Sequence, residues 1–297
     1  MIIVKLKGGM GNQMFQYAIG RNLATKLGTQ LRLDLTFLLD RSPRKDFVFR
    51  DYDLDIFALD VAFAGPTDLK PFTQFRISHL TKIYNIFPRL LGRPYVISEP
   101  HFHFSEAILK SSDNVYLDGY WQSEKYFKEI ENSIRDDFKF RQPLEGRAAE
   151  MAAQIKNEDR AVCLNVRRAD FVTSKKAQEF HGFIGLDYYQ KAVDLLVSKV
   201  GPLHLFIFSD DVDWCAANLK FNYPTTFVTK DYSGKKYEAY LQLMTLCRHY
   251  IIPNSTFAWW GAWLNSDPNK IVIAPKQWFK EASIDTTDII PSTWIRL

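Results

Sequence analysis

The strongest constraint on the fold is a regular alternation of strand and helix patterns in the second half of the chain. A buried apolar run at Ala161–Val166 is followed by a helical pattern near 187–200 and a second apolar run at 203–208. Segments of the two kinds then alternate up to the last predicted strand: helices near 212–219, 237–246 and 257–264, and strands near 227, at 250–252 and at 270–275. Such a series predicts an open parallel sheet covered by helices on both faces.

The N-terminal end carries a pattern of the same kind. Residues 2–6 form an apolar run, a glycine-rich turn follows, and apolar residues recur at helical spacing until Gly28, before a second strand at 30–35. This order predicts two parallel strands joined by a right-handed crossover. The aromatic-rich and proline-rich segment 39–140 does not yield a topology.

A polar, alanine-rich segment at 141–158 separates the two patterns, and 297 residues are enough for two hydrophobic cores. We therefore expect an α/β protein with two Rossmann-like domains, 1–145 and 146–297, whose parallel sheets face each other across a cleft. Open α/β sheets bind ligands at the carboxyl ends of their strands. Residues that directly follow a strand are therefore the candidate site residues.

Composition disfavours several classes of protein. A net charge of +4 is too small for the concentrated basic face of a nucleic-acid-binding protein. Three cysteines in apolar contexts support neither a disulfide framework nor a zinc site. We find no signal peptide and no apolar stretch near the roughly 20 residues of a membrane span. The sequence therefore predicts a cytoplasmic protein, soluble or at most peripheral to a membrane.

The first predicted strand ends in the glycine-rich segment "KGGMGNQMF". Its glycines permit close backbone approach, and the helix start with its side-chain amides suits a hydroxyl-rich or phosphate ligand. The candidate ligand-binding residues are Gly9, Gly11, Asn12 and Gln13. A tight turn with a simple helix cap is the structural alternative. A dinucleotide site, as in a nicotinamide-dependent oxidoreductase, is a second alternative because Asp34 ends the next strand, but Met14 occupies the third glycine position.

The central predicted strand ends in "NVRRAD". Arginine presents a planar fork of donors that matches phosphate oxygens in pairs. Arg167 and Arg168, with Asp170 to orient a guanidinium, could hold a diphosphate, and strand periodicity places Asn165 on the same side as Arg167. The structural alternative is an ion-pair cluster.

Two further strand ends carry polar side chains. Asp211 and Asp213 have the Asp-x-Asp spacing of some manganese sites, although a helix cap by Ser209 or Asp210 is the stronger interpretation. Asp210 could also accept hydrogen bonds from a base or ribose. After the strand near 250, Ser255 and Thr256 could cradle a phosphate, cap the next helix, or do both. The tryptophans of that helix are expected to pack in the core. The pair of histidines at 101 and 103 is expected in a loop, without a third metal ligand.

Several motifs in order resemble a known family. They are "GGMGNQMFQYAIGRNLA", "GYWQSEKYF", "NVRRADF", "FSDD" and "NSTFAWWGAWLN". Their order and spacing over nearly the whole chain resemble the bacterial α-1,2-fucosyltransferases of glycosyltransferase family 11.

The resemblance implies a GT-B type enzyme whose C-terminal domain holds most of the sugar-nucleotide donor and whose N-terminal domain takes the acceptor. It implies inverting transfer of L-fucose from GDP-fucose to the 2-hydroxyl of a galactose in an oligosaccharide or lipid-linked glycan, without a metal or other cofactor. The family motif His-x-Arg-Arg-x-Asp falls on Asn165, Arg167, Arg168 and Asp170. The chain departs from it at Asn165, in the histidine position, and at Ala169, where glycine is usual.

Chemistry and resemblance agree on a mechanism. Departure of GDP builds negative charge on the leaving phosphate, which guanidinium and helix N–H groups can stabilise. Arg167 and Asp170 are the predicted catalytic residues, with Arg168, Ser255 and Thr256 nearby. Candidates for the general base are Glu124, Asp118 and His101. A carbohydrate-binding protein without catalysis is the remaining alternative.

Overall fold

The computed structural model describes residues 1–45, 47–73, 93–168, 184–281 and 283–297. The chain forms two compact units. Unit 1 contains Met1–Lys139 and Thr287–Ile289, and unit 2 contains Phe140–Thr286 and Ile290–Leu297.

Unit 1 is built on a parallel sheet with five strands in its described part, in the order β3-β2-β1-β5-β4. The strands are β1 (Ile2–Lys5), β2 (Leu31–Asp34), β3 (Ala62–Phe63), β4 (Tyr95–Ser98) and β5 (Val115–Asp118). The α-helices are Met10–Leu27, Thr36–Leu39, Pro66–Thr73, Glu106–Leu109 and Glu131–Asp137, and the 3-10 helices are Leu54–Ile56, Glu124–Tyr126 and Lys128–Ile130. Segment 39–140, whose topology the sequence left open, therefore supplies three of these strands.

The helix Met10–Leu27 is the main packing element of unit 1. Phe15, Ile19 and Leu23 on this helix are fully buried, as are Ile2 and Val4 of β1. Burying large apolar side chains contributes about 1.5–3 kcal/mol each, so this packing fixes the helix against the sheet. The helix N-terminus is thereby held at the edge where β1 ends.

Unit 2 is built on a parallel sheet with six strands in its described part, in the order β11-β10-β9-β6-β7-β8. The strands are β6 (Ala161–Val166), β7 (His204–Ser209), β8 (Thr225–Val228), β9 (His249–Ile251), β10 (Val272–Ala274) and β11 (Ile295–Arg296). The helices are Gly146–Lys156, Leu186–Val200, Val212–Asn218, Glu238–Met244 and Thr256–Leu264, with a 3-10 turn at Lys230–Tyr232. Every residue of β6 is buried, as its central place in the sheet requires.

The predicted α/β class with two parallel sheets is confirmed, and one detail is corrected. The strand predicted at 270–275 is not the last, because Ile295–Arg296 adds a parallel strand beyond β10. A two-residue strand has too few residues to show an alternating pattern. Its pairing with Ile273 and Ala274 defines it.

The tryptophan-rich helix Thr256–Leu264 packs in the core of unit 2, as expected. Trp259 and Trp260 are fully buried, and the Trp259 and Trp263 rings stack with centroids 6.0 Å apart. All three cysteines are free and buried. Among the described residues, no helix has both the length and the apolar character needed to cross a membrane.

Candidate active site

The carboxyl ends of three neighbouring strands of unit 2 bring the predicted diphosphate-binding residues to one edge of the sheet. Strand β6 lies between β7 and β9, and Val166 pairs with Ser209 at the ends of β6 and β7. The backbone N–H of Arg168 donates to Asp210 Oδ1 at 2.8 Å. The structure therefore joins the arginine pair to the aspartate that follows β7.

The side chain of Arg168 is held from two directions. Its guanidinium carbon lies 3.7 Å from the centroid of the Trp214 ring, and its Nε donates to Asp211 Oδ2 at 3.3 Å. A cation over an indole face and an ion pair both favour one orientation of the guanidinium. Arg167 directly follows β6 and is partly buried, whereas Asp170 lies outside the described residues.

Asn165 is the penultimate residue of β6 and pairs with Phe208 of β7. Its side chain is largely buried. It therefore stands two residues before Arg167, close to the same strand end.

Asp211 caps the helix Val212–Asn218. Its Oδ1 accepts from Trp214 N–H at 3.2 Å, and its own N–H donates to Ser209 Oγ at 2.9 Å. The predicted helix cap is therefore present, but at Asp211 rather than at Ser209 or Asp210, because the helix begins at Val212. In the part of the chain that the structure describes, no group of three or more His, Cys, Asp or Glu side chains is arranged to hold a metal ion.

Ser255 and Thr256 begin the helix after β9. Ser255 is the N-cap, and its hydroxyl accepts from Ala258 N–H at 3.5 Å. Asn254 is buried, and its Nδ2 donates to the Trp278 carbonyl at 3.0 Å. The helix start is therefore fixed beside the end of β6, and Thr256 is only partly buried.

In unit 1 the glycine-rich segment forms a tight turn into the helix Met10–Leu27. Gly8 has a φ of +78°, a conformation that L side chains rarely adopt, and Gly9 is the N-cap. Gly11 is buried in the first turn of the helix. Asn12 Oδ1 accepts from Gln122 Nε2 at 2.8 Å, which joins the helix start to the loop after β5.

Gln13 has no exposed surface and is hydrogen-bonded inside unit 1. Its Nε2 donates to the Gly8 and Asp51 carbonyls at 3.0 and 2.8 Å, and its Oε1 accepts from Asp53 N–H at 2.9 Å. The side chain connects the glycine turn to segment 51–53. A donor-binding role for Gln13 stays a prediction.

Asp34, the acid of the dinucleotide alternative, is also engaged within unit 1. It is buried, with Oδ2 accepting from Tyr116 Oη at 2.6 Å and Oδ1 accepting from Thr36 N–H at 2.8 Å. Both carboxylate oxygens thus bind protein groups. The position does not resemble an open contact for a ribose hydroxyl.

The three candidate bases have different surroundings. Asp118 Oδ1 accepts from Lys7 Nζ at 2.8 Å and Oδ2 accepts from Lys5 Nζ at 3.0 Å. Burial opposes ionisation of Asp118, but the two ammonium groups outweigh it and lower the pKa of its carboxyl group below the usual value. Glu124 lies 3.7 Å from Lys128 Nζ. The His101 ring stacks on His103 with centroids 3.2 Å apart, in a loop as expected.

Sequence reasoning missed Glu99, and it also missed the ion pair of Lys7 with Asp118. Glu99 follows β4 directly, and its N–H donates to the Asp118 carbonyl at 3.0 Å. Its Oε2 and Oε1 accept from Tyr120 N–H and Trp121 N–H at 2.6 and 2.9 Å. An apolar run at 95–98 with an acid directly after it could have indicated a strand followed by a site residue. It lay in segment 39–140, for which the sequence yielded no topology.

A family model for glycosyl transferase family 11 matches residues 77–297. The chain is 30% identical over its full length to an "Alpha-1,2-colitosyltransferase" of Escherichia coli, with 99% of that protein covered. It is 31% identical to the "O-antigen biosynthesis glycosyltransferase WbnK" of Escherichia coli, covering 98% of this chain and 99% of the other. It is 25% identical to the "Galactoside alpha-(1,2)-fucosyltransferase 1" of Sus scrofa, covering 57% of this chain and 46% of that protein.

Among solved structures, the chain has similarity to the fucosyltransferase NodZ from Bradyrhizobium. The TM-score is 0.46 at 15% identity, over 88% of this chain and 91% of the other. The full-length similarity to an enzyme of Escherichia coli and the match of the family model over most of the chain agree. This protein therefore belongs to glycosyl transferase family 11.

Proposed function

We propose that the protein transfers L-fucose from GDP-fucose to the 2-hydroxyl of a galactose residue in a glycan, with inversion and without a divalent metal ion. Membership of the family supports a glycosyl transfer reaction. The α-1,2 linkage is supported by the names of the relatives from Escherichia coli and Sus scrofa, and the fucosyl group by the latter.

The arginine pair at the end of β6 is the observation that carries the proposal. Departure of GDP places negative charge on the β-phosphate, and the transition state is stabilised by cations already held in position. Arg168 is held by Trp214 and Asp211, so its charge needs no reorganisation during the reaction. We assign Arg167 to the leaving phosphate, with Asp170 as its predicted partner.

Neighbouring strand ends supply the rest of the proposed donor site. Asp210 follows β7 and Ser255 with Thr256 follows β9, on either side of the arginines. A helix start beside a diphosphate contributes N–H groups and a favourable dipole. Unit 2 would then bind the donor, and unit 1 would take the acceptor.

The donor sugar is the part of this proposal that most needs a test. A relative that matches the whole chain is named as a colitosyltransferase, and this name gives a transferred sugar other than fucose. The purified protein should be incubated in EDTA with GDP-fucose, GDP-colitose or GDP-mannose, each with a panel of β-galactosides. Release of GDP measures turnover, and NMR of the product gives the linkage and anomeric configuration.

We expect GDP release to require both GDP-fucose and a galactoside, and the product to carry an α-1,2-linked fucose. Preference for GDP-colitose would overturn the donor assignment but leave the family reaction in place. No turnover with any galactoside, together with binding of NAD(H), would favour an oxidoreductase. Binding of a galactoside without GDP release from any donor would favour a carbohydrate-binding protein.

A further inference from the structure

The acceptor hydroxyl must lose a proton during the proposed transfer, and four acid or base groups of unit 1, at or after the ends of β4 and β5, are candidates to accept it. Three of them, Asp118, Glu124 and His101, were candidates from the sequence. The fourth is Glu99, at the same sheet edge as Asp118, because Ser98 pairs with Asp118 in the register of β4 and β5.

Asp118 is poorly suited to accept the proton. Its two oxygens each receive a hydrogen bond from a lysine ammonium group, at 2.8 and 3.0 Å. A carboxylate neutralised in this way is a weak base, whereas general bases work best when their pKa lies near the operating pH. Asp118 instead holds Lys7, whose Nζ lies 4.7 Å from the centroid of the Tyr120 ring.

His101 and Glu124 are also engaged. His101 Nδ1 lies 3.1 Å from the His103 carbonyl, and one face of its ring is covered by His103. The Glu124 carboxylate faces Lys128 Nζ, which also contacts Glu131 at 2.8 Å.

In the part of the chain that the structure describes, the donors that hold the Glu99 carboxylate are neutral backbone N–H groups. Each oxygen accepts one backbone N–H, from Tyr120 or Trp121, which leaves a second lone pair on each oxygen. A Cβ at position 119 would lie 2.5 Å from Glu99 Cβ. Gly119 therefore allows the Glu99 side chain to lie against the turn at 119–121. Trp121 has a φ of +58°, which is uncommon for a bulky residue. The hydrogen bond from its N–H to Glu99 helps to hold this conformation.

The surroundings of Glu99 favour a basic carboxylate. Burial raises the pKa of its carboxyl group above the usual value, although the two backbone hydrogen bonds and the charges of Lys7 and His101 oppose the shift. The phenol of Tyr126, in the 3-10 helix after β5, also interacts electrostatically with Glu99. Carboxyl groups with raised pKa at strand ends are frequent in active sites.

We propose that Glu99 is the general base that takes the proton of the acceptor hydroxyl group. This inference rests on the proposed function. In the step, the acceptor O–H bond breaks and its proton passes to a Glu99 carboxylate oxygen. The electron pair left on the acceptor oxygen forms the new bond to the anomeric carbon of the donor. The bond from that carbon to the diphosphate breaks, and its electron pair leaves on GDP.

The test is Glu99→Gln, with Glu106→Gln as the matched control, because Glu106 is an exposed glutamate on the helix after β4. We expect Glu99→Gln to lower kcat for transfer by about 10²-fold or more, with the Kd for GDP unchanged. We expect the unsubstituted enzyme to show an acid limb in its kcat–pH profile, and this limb should disappear in Glu99→Gln and persist in Glu106→Gln. A purely structural role would not remove the acid limb.

Retention of the acid limb with near-normal kcat in Glu99→Gln would overturn the inference. Glu99→Asp is the second variant, because it keeps a carboxylate where the amide disturbs the Tyr120 turn. It should fold, keep measurable transfer and show a shifted acid limb, and an unchanged limb would also overturn the inference. Absence of transfer by the unsubstituted protein would overturn the proposed function instead.

Discussion

The guanidinium carbon of Arg168 lies 3.7 Å from the centroid of the Trp214 ring, while its Nε pairs with Asp211. Trp214 lies in the helix Val212–Asn218, and Asp211 is the N-cap of that helix. The helix that follows β7 therefore orients the cation that follows β6. Arg168 is thus restrained before any ligand arrives. Restrained cations lose little entropy on binding an anion.

Removal of that ring should weaken nucleotide binding. We expect Trp214→Leu to raise the Kd for GDP about tenfold, since a cation–π contact contributes about 0.5–2 kcal/mol and its loss frees the guanidinium. Isothermal titration with GDP gives the value. Trp214→Phe keeps an aromatic face and should retain most of the affinity, so equal losses in both variants would contradict an orienting role for the ring.

Removal of the Arg167 side chain should act mainly on the chemical step. We expect Arg167→Ala to lower kcat about 10²- to 10³-fold, the usual effect of losing one group that stabilises transition-state charge. Arg248→Ala is the matched control, because Arg248 is exposed and directly precedes β9, at the opposite edge of the sheet. A near-normal kcat in Arg167→Ala would remove this residue from the catalytic mechanism.

Gln13 should matter for stability. Gln13→Ala removes a fully buried side chain and leaves the carbonyls of Gly8 and Asp51 and the N–H of Asp53 without their side-chain partner. We expect the free energy of unfolding to fall by about 2 kcal/mol, because each lost hydrogen bond contributes about 0.5–1.5 kcal/mol. Urea unfolding followed by circular dichroism measures it. The exposed Gln30→Ala should change little, and a similar small effect of Gln13→Ala would show that the turn is held by other contacts.

Asp118 and Glu99 should affect the pH dependence of stability with opposite signs. The pKa of Asp118 is lowered in the folded protein, so its stabilisation is present above the unfolded value of about 3.9 and is lost as pH falls through the folded pKa. The pKa of Glu99 is raised, so the folded state gains stability as pH falls through that raised pKa.

Unfolding free energies of Asp118→Asn and Glu99→Gln, measured from about pH 2 to pH 8, check these signs. The difference between the unsubstituted protein and Asp118→Asn should shrink toward acid, because the protonated aspartate no longer binds two lysines. The free energy of unfolding of the unsubstituted protein minus that of Glu99→Gln should become more positive as pH falls from neutral to about 4.5. The same sign of change in both variants would contradict one of the two environments.

The sequence by itself determined the class of fold and one edge of the proposed donor site. Short apolar runs such as Ala161–Val166, placed between helical patterns, are typical of buried strands, and the intervening helices favour parallel pairing. The polar residues after those runs, Arg167, Arg168 and Asp210, therefore had to lie at one edge of the sheet. The motifs also identified the family, since a motif is defined by residue identities and their order in the chain and can be read without the structure.

The tertiary structure decided what each of these side chains does. Whether Arg168 stacks on Trp214, whether Gln13 is buried, and whether Asp118 or Glu99 keeps a basic carboxylate depend on residues distant in the chain. Lys7 reaches Asp118 across 111 positions of sequence, and only the pairing of β1 with β5 brings them together. The pattern of apolar and polar residues indicates which segments are strands or helices and which faces are buried. The ion-pair and hydrogen-bond partners of a side chain depend instead on the order of the strands in the sheet. No local pattern in 39–140 specified that order.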